Sequence, residues 1–156
     1  MYKVLDVCGY VINYSNKMNF GISNLKLQKI LYFIQAVFLI NRDKPCFTEE
    51  IEAWDFGPVV PEAYHEFKRY GSLDIPTVTS YYEQSDNWNF ERTTYNDKDI
   101  ADGDKELINE VINKFSGYAA TDLVNITHQQ MPWLDAYVPH MNNIITKDSI
   151  KEYFSA

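Results

Sequence analysis

The sequence is poor in cysteine and in basic residues, and each shortage excludes a class of protein. Two cysteines, Cys8 and Cys46, are too few for the disulfide framework of a small secreted domain. Fourteen Lys and Arg residues stand against 22 Asp and Glu residues, which gives a formal net charge of −8. A phosphate backbone repels such a chain, so we do not expect nucleic acid as a partner.

A long apolar run is also lacking. Residues 30–40 read ILYFIQAVFLI, and these eleven residues fall short of the about 20 that a membrane-spanning helix needs. We therefore expect no membrane contact and interpret the run as a helix buried in a core. No secretion signal follows Met1, so the cytoplasm is the expected location.

Motifs that carry chemistry are missing as well. The sequence has no G-x-S-x-G, no P-loop and no glycine-rich dinucleotide loop. His65 in YHEF lacks the second histidine of a zinc-protease helix and is interpreted as a surface residue. The acidic run at 97–104 lacks the glycine and the terminal glutamate of a calcium loop. The sequence therefore predicts no metal, no cofactor and no enzymatic activity.

Apolar residues at helical spacing dominate what is present. The 156 residues suit one domain, expected to span 1–156, and 46% of them are hydrophobic. The fold class is predicted to be mainly α, a compact domain of about six or seven helices. Ser23 or Asn24 can cap the central helix, and Lys26 with Lys29 predicts a solvated face on it. The helices are expected at about 3–15, 24–41, 61–70, 107–115, 121–126, 132–137 and 146–154.

Two regions are harder to assign. Residues 47–56 fit either a helix or a short strand, and a second small β element can form near 77–82. The segment at about 72–102 loses helical spacing and is interpreted as a variable surface connector, a common place for function-specific contacts. Within it, residues 85–99 are predicted to form an exposed loop.

Three blocks of sequence resemble a known family. They are NLKLQKILYFIQAVFLI at 24–40, IEAWDFGPVVPEAYHEFKRYG at 51–71 and THQQMPW at 127–133. Together they resemble the Panacea, or SocA-like, antitoxin domain, which also occurs in phage-associated proteins. The resemblance implies a mainly α domain without a cofactor, which neutralises a toxin protein by binding it. It also implies an alternative role as an adaptor that delivers a toxin to a Clp-type protease.

The candidate partner-binding residues are aromatic. Trp54, Tyr64, His128 and Trp133 lie in the three blocks, and Trp88 and Phe90 lie in the predicted loop. Tryptophan is enriched in binding hot spots, but it is equally an ordinary core anchor. His128 can contact a partner, or it can tie a helix end to the following Pro-Trp pair. The residues alone leave these alternatives open.

The sequence thus favours an antitoxin-like protein that binds a cognate toxin directly. The alternatives are the proteolytic adaptor and a phage or prophage regulator that binds DNA through a helix-turn-helix. The net charge of −8 opposes the DNA-binding alternative.

Overall fold

The computed structural model describes residues 1–84 and 89–156, except for the side chain of Gln84. Over these residues the chain is mainly helical with seven α-helices, as predicted. Its five short strands are more β structure than the small elements expected near 47–56 and 77–82. The helices are Val4–Lys17 (α1), Asn24–Arg42 (α2), Pro61–Phe67 (α3), Asp102–Lys114 (α4), Ala120–Thr127 (α5), Met131–Ala136 (α6) and Lys147–Ser155 (α7). The strands are Ile51–Trp54 (β1), Gly57–Val59 (β2), Ser80–Gln84 (β3), Phe90–Thr94 (β4) and Ile144–Ile145 (β5).

Helix α2 is the centre of the core. It contacts α1, α3, α4, α5 and α7, and it also touches β2. Its residues Leu31, Tyr32 and Ile34 are fully buried, which confirms a helix buried on most sides over residues 30–39, while Ile40 is 41% exposed. Within the described residues, no helix has both the length and the apolar character needed to cross a membrane.

Side-chain caps fix where two of the helices begin. The Ser23 hydroxyl accepts a hydrogen bond from the Lys26 amide at 3.3 Å, so Ser23 rather than Asn24 caps α2. The Thr146 hydroxyl accepts from the Ser149 amide at 3.1 Å and caps α7 as predicted. Both caps satisfy amides that have no partner within the helix.

A three-stranded antiparallel sheet lies beside α2, with strand order β2-β1-β5. Its presence confirms the strand alternative for residues 47–56. Trp54 pairs with Gly57 across a two-residue turn, and Ile51 pairs with Ile145. The chain then passes from β2 through Val60 into α3, where Pro61 takes the first helical position.

Strands β3 and β4 form a second hairpin, which corrects the predicted loop. Residues 90–94 pair with β3, because Tyr82 lies opposite Arg92 and Tyr81 lies opposite Thr93. Tyr81 is buried against the core while Tyr82 is exposed, as the alternation of a strand requires. Ile75, Val78 and Ile100 are also buried, so these parts of the expected surface connector belong to the core.

The helix expected over residues 61–70 is shorter than predicted. Helix α3 ends at Phe67, and Lys68–Tyr70 continues as one turn of 3-10 helix. Gly71 then has a φ of +58°, which a residue with a side chain rarely adopts.

Candidate functional site

The two-residue turn between β1 and β2 is held by side chains from the α5–α6 region. Trp133 donates its indole N–H to the Trp54 carbonyl oxygen at 2.8 Å. His128 Nε2 lies 2.9 Å from the Asp55 carbonyl oxygen, and because a carbonyl only accepts, this nitrogen carries the proton. The Tyr137 hydroxyl donates to the Asp55 carboxylate. Three side chains remote in sequence thus fix one turn.

These three side chains also form a stack. The His128 and Trp133 rings lie 4.2 Å apart at 29°, and the Trp133 and Tyr137 rings lie 4.4 Å apart at 17°. Trp133 is only 8% exposed, so it is a core anchor. His128 follows the last residue of α5, and its stacking on Trp133 matches the alternative in which it ties a helix end to the Pro-Trp pair.

The other side of the turn carries Trp54 and Tyr64. Their rings lie 5.0 Å apart at 67°, an edge-to-face arrangement that favours the pair beyond simple burial. Both are half-buried, and the Trp54 indole donates to the Glu52 carboxylate at 2.9 Å. The rings border a cleft of about 500 Å³, whose apolar wall is completed by Leu25, Phe56 and Val59.

Phe56 stands at the tip of the turn and is 67% exposed. Its ring leaves apolar area in water, and burial of that area against a partner would be favourable. Sequence reasoning did not select this residue. The only signal for it was its place in WDFG, immediately before the glycine that forms the turn.

Lys29 lies beneath the hairpin and is wholly buried, so the prediction of a solvated face was wrong for it. Its ammonium nitrogen donates to the Pro58 carbonyl oxygen at 3.0 Å. Burial lowers the pKa of Lys29 to about 7, well below its ordinary value of 10.5. The prediction failed because the hydrogen-bonding partner is a strand 29 residues away.

Two further polar residues of α2 hold the hairpin. The Gln28 side-chain oxygen accepts from the Val60 amide at 3.0 Å, and its nitrogen donates to Asn24 at 2.9 Å. Asn24 in turn donates to the Tyr64 carbonyl oxygen at 3.1 Å. The polar positions of the NLKLQK block therefore anchor the segment that leads into α3, and the full network satisfies groups that would be costly to bury alone.

Gly57 is required by this packing. Its φ is +104°, and a Cβ placed there would lie 2.7 Å from Lys29 Cε and 2.9 Å from Thr127 Oγ1. Helices α2 and α5 thus approach the turn so closely that only glycine fits. Together these contacts fix the conformation of the turn.

We call this surface the hairpin site. It brings together four of the predicted residues, while Phe90 lies on β4 and is 70% exposed at a separate cleft. Trp88 lies outside the described residues. No group of three or more His, Cys, Asp or Glu residues within the described part of the chain is arranged to hold a metal ion. The hairpin site consists of Trp54, Asp55, Phe56, Tyr64, His128, Trp133 and Tyr137.

The chain belongs to the family of antitoxin SocA-like proteins with a Panacea domain, whose family model matches residues 27–134. Six of the seven hairpin-site residues fall in that range. Among curated relatives, the chain is 30% identical over 128 residues to Antitoxin SocA of Caulobacter vibrioides (strain NA1000 / CB15N). This alignment covers 81% of the present chain and 66% of the relative, so it spans just under two thirds of the relative's length. No solved structure matches the chain significantly.

Proposed function

We propose that this protein is an antitoxin that neutralises a toxin protein by binding it directly. The observation that carries the proposal is the match to the antitoxin SocA-like Panacea family over residues 27–134. The name of the Caulobacter relative supports the same role. The mechanism is steric, since the folded domain covers the toxin's working surface and needs neither catalysis nor a cofactor. Such a protein acts in the cytoplasm, where its toxin acts.

The hairpin site is the surface proposed to bind the toxin. Phe56 presents apolar area to solvent, and Trp54 and Tyr64 border the cleft beside it. Aromatic residues of this kind supply most of the energy in many protein interfaces. Because Lys29, His128 and Trp133 already hold the turn, little conformational entropy is lost when a partner binds there.

The same geometry gives the predicted residues different roles. Trp133 and His128 support the turn from the core side, whereas Phe56 is free to touch the toxin. We therefore propose Phe56, Trp54 and Tyr64 as contact residues. Truncating Phe56 removes contact area without disturbing the supporting bonds, while truncating Trp133 disturbs the turn itself.

The experiment that tests the function is growth of cells that express the neighbouring open reading frame, with and without this protein. The proposal predicts toxicity when the neighbour is expressed alone and rescue when both are expressed. A harmless neighbour, or toxicity that this protein does not relieve, contradicts it. Toxin abundance is followed by immunoblot in the same cultures.

Toxin abundance separates neutralisation from proteolytic delivery. Steric neutralisation leaves the toxin present in the rescued cells at its usual half-life. An adaptor for a Clp-type protease instead shortens that half-life, and rescue then fails in cells without the protease. A regulator that binds DNA acts on transcription, so its rescue disappears when the toxin is expressed from an unrelated promoter.

A further inference from the structure

A second cleft, of about 560 Å³, lies on the other flank of α3 from the hairpin site. Lys68 borders both clefts, so the two surfaces meet along α3. Four glutamates line the second cleft against two lysines, which leaves it negatively charged. We call it the acidic cleft. Its charged side chains are Glu49, Glu62, Glu66, Glu83, Lys3 and Lys68.

Among the described residues, two of these glutamates lack donors for part of their capacity to accept hydrogen bonds. Glu62 is exposed in the first turn of α3, and no residue in the described parts of the chain donates to its carboxylate. Glu66 is only 9% exposed. One of its oxygens accepts from the Tyr82 amide at 3.3 Å and lies 4.0 Å from Arg69. For its other oxygen, no donor is present among residues 1–83 and 89–156, whose side chains the structure describes.

The burial of the Glu66 carboxylate favours the binding of a cation beside it. Burial raises the pKa of its carboxyl group, because the charged form has lost much of its hydration. A carboxylate held in such a place gains more from a cation than an exposed one does, since little water remains to screen the pair. Arg69 is itself about half exposed and reaches the oxygen that is already bonded.

Two aromatic side chains on the β3–β4 hairpin complete the wall. Tyr82 is 50% exposed and Phe90 is 70% exposed. The strand register places both on the same face of the hairpin, since Tyr82 pairs with Arg92 and Phe90 is two residues from Arg92. Exposed rings beside carboxylates suit a guanidinium group, which stacks on aromatic faces and bonds carboxylates in pairs.

We propose that the acidic cleft receives a basic segment of the partner protein, with an arginine side chain between the two glutamates and the two rings. This inference rests on the proposed function, because the partner is the toxin. Charge complementarity favours it, as a chain of net charge −8 attracts basic segments and repels nucleic acid and anionic membranes. Because Lys68 borders both clefts, one toxin can occupy the hairpin site and the acidic cleft together.

The test uses a fluorescein-labelled nine-residue peptide of alternating arginine and leucine, with fluorescence anisotropy as the readout. A peptide with glutamine in place of every arginine is the peptide control. The cleft variant carries Glu62→Gln and Glu66→Gln, in which the glutamine oxygen at position 66 can still accept from Tyr82. The matched variant carries Glu106→Gln and Glu110→Gln on α4, two exposed positions with the same change in net charge.

The proposal predicts that the arginine peptide binds the wild-type protein and that the cleft variant binds it about tenfold more weakly. The matched variant is expected to change the affinity by less than about twofold, because net charge alone contributes weakly and is screened by salt. Phe90→Ala is expected to weaken binding as well. No binding by the wild type, or equal effects of both double variants, overturns the proposal.

Two controls make the outcome decisive. Thermal melting of each variant identifies any that fail to fold. If the double cleft variant fails to fold, Glu62→Gln alone replaces it in the binding test, since Glu62 accepts no bond from the described residues. Spermine is titrated in parallel, and an affinity for spermine equal to that for the peptide overturns the assignment to a protein segment. A harmless neighbouring gene would defeat the proposed function while leaving the peptide comparison intact.

Discussion

The buried amine of Lys29 donates a hydrogen bond to the Pro58 carbonyl oxygen at 3.0 Å and so connects the central helix to the hairpin. No carboxylate accompanies it within hydrogen-bond distance in the described residues, and burial holds its pKa at about 7. Burial of this amine costs free energy, and the hydrogen bond that it donates fixes the turn. This relationship leads to two predictions about stability.

Replacing Lys29 with methionine should lower the free energy of unfolding by about 1–3 kcal/mol, because the Pro58 carbonyl oxygen is left buried without a donor. Methionine fills a similar volume, so the effect of a cavity stays small. Lys26→Met on the same helix is the matched control, because Lys26 is only partly buried. Urea unfolding measures both, and equal changes would contradict the role given to Lys29.

The same amine predicts a rise in stability with pH. The unfolded chain keeps the Lys29 proton up to about its ordinary pKa of 10.5, whereas the folded chain releases it near 7. Unfolding between these values takes up a proton, so the free energy of unfolding increases with pH, by at most about 1.4 kcal/mol per unit.

The measurement is confined to about pH 7–8.5. Burial raises the pKa of the Cys8 and Cys46 thiols above the ordinary value of 9.0, and their opposite contribution begins near that value. The rise should be present in the wild type and clearly smaller in Lys29→Met, where Lys26, whose pKa burial also lowers, still contributes in the same direction. Parallel pH profiles for the two proteins would show that Lys29 stays charged when folded.

Gly57→Ala should destabilise the protein by more than about 1 kcal/mol, because the added Cβ needs a positive φ and meets both Lys29 and Thr127. Gly117→Ala is the control. A Cβ added at Gly117 would meet no other residue within 4 Å, and the φ of Gly117 is not positive. If thermal unfolding shows the two variants equally stable, the close packing around the turn is not as described.

Trp133→Phe should weaken the turn while preserving the stack. The phenyl ring can still pack between His128 and Tyr137, but the hydrogen bond to the Trp54 carbonyl oxygen is lost. The expected cost is about 1 kcal/mol, as for a part-buried acceptor that loses a donor. Unchanged urea unfolding would mean that the indole N–H does not hold the turn.

The sequence was a good guide to helices and a poorer one to the site. Apolar spacing and caps such as Ser23 and Thr146 are local signals, and they located the helices to within a few residues. The role of Lys29 was missed because its partner lies in a hairpin distant along the chain. Strand β4 was missed because its described side chains are mostly exposed and its partner strand, not its own pattern, defines it.

The aromatic candidates divide in a way that residue type could not predict. Trp133 follows Pro132 and Trp54 lies three residues before Gly57, yet the first is buried and the second is only half-buried. Exposure depends on which side of the β1–β2 turn each ring occupies. That side is set by how the turn packs against the α5–α6 region, which lies far away in the sequence. Phe56 escaped notice for the same reason, because only the hairpin geometry leaves it in solvent.

The central claim is direct binding of a toxin at the hairpin site, and titration calorimetry with the purified neighbouring protein tests it most directly. Wild type is predicted to bind, and Phe56→Ala is predicted to bind at least about tenfold more weakly. Leu73→Ala, which truncates an equally exposed apolar side chain elsewhere, should leave the affinity unchanged. Absence of binding by the wild type, or equal affinities for all three proteins, would contradict the account.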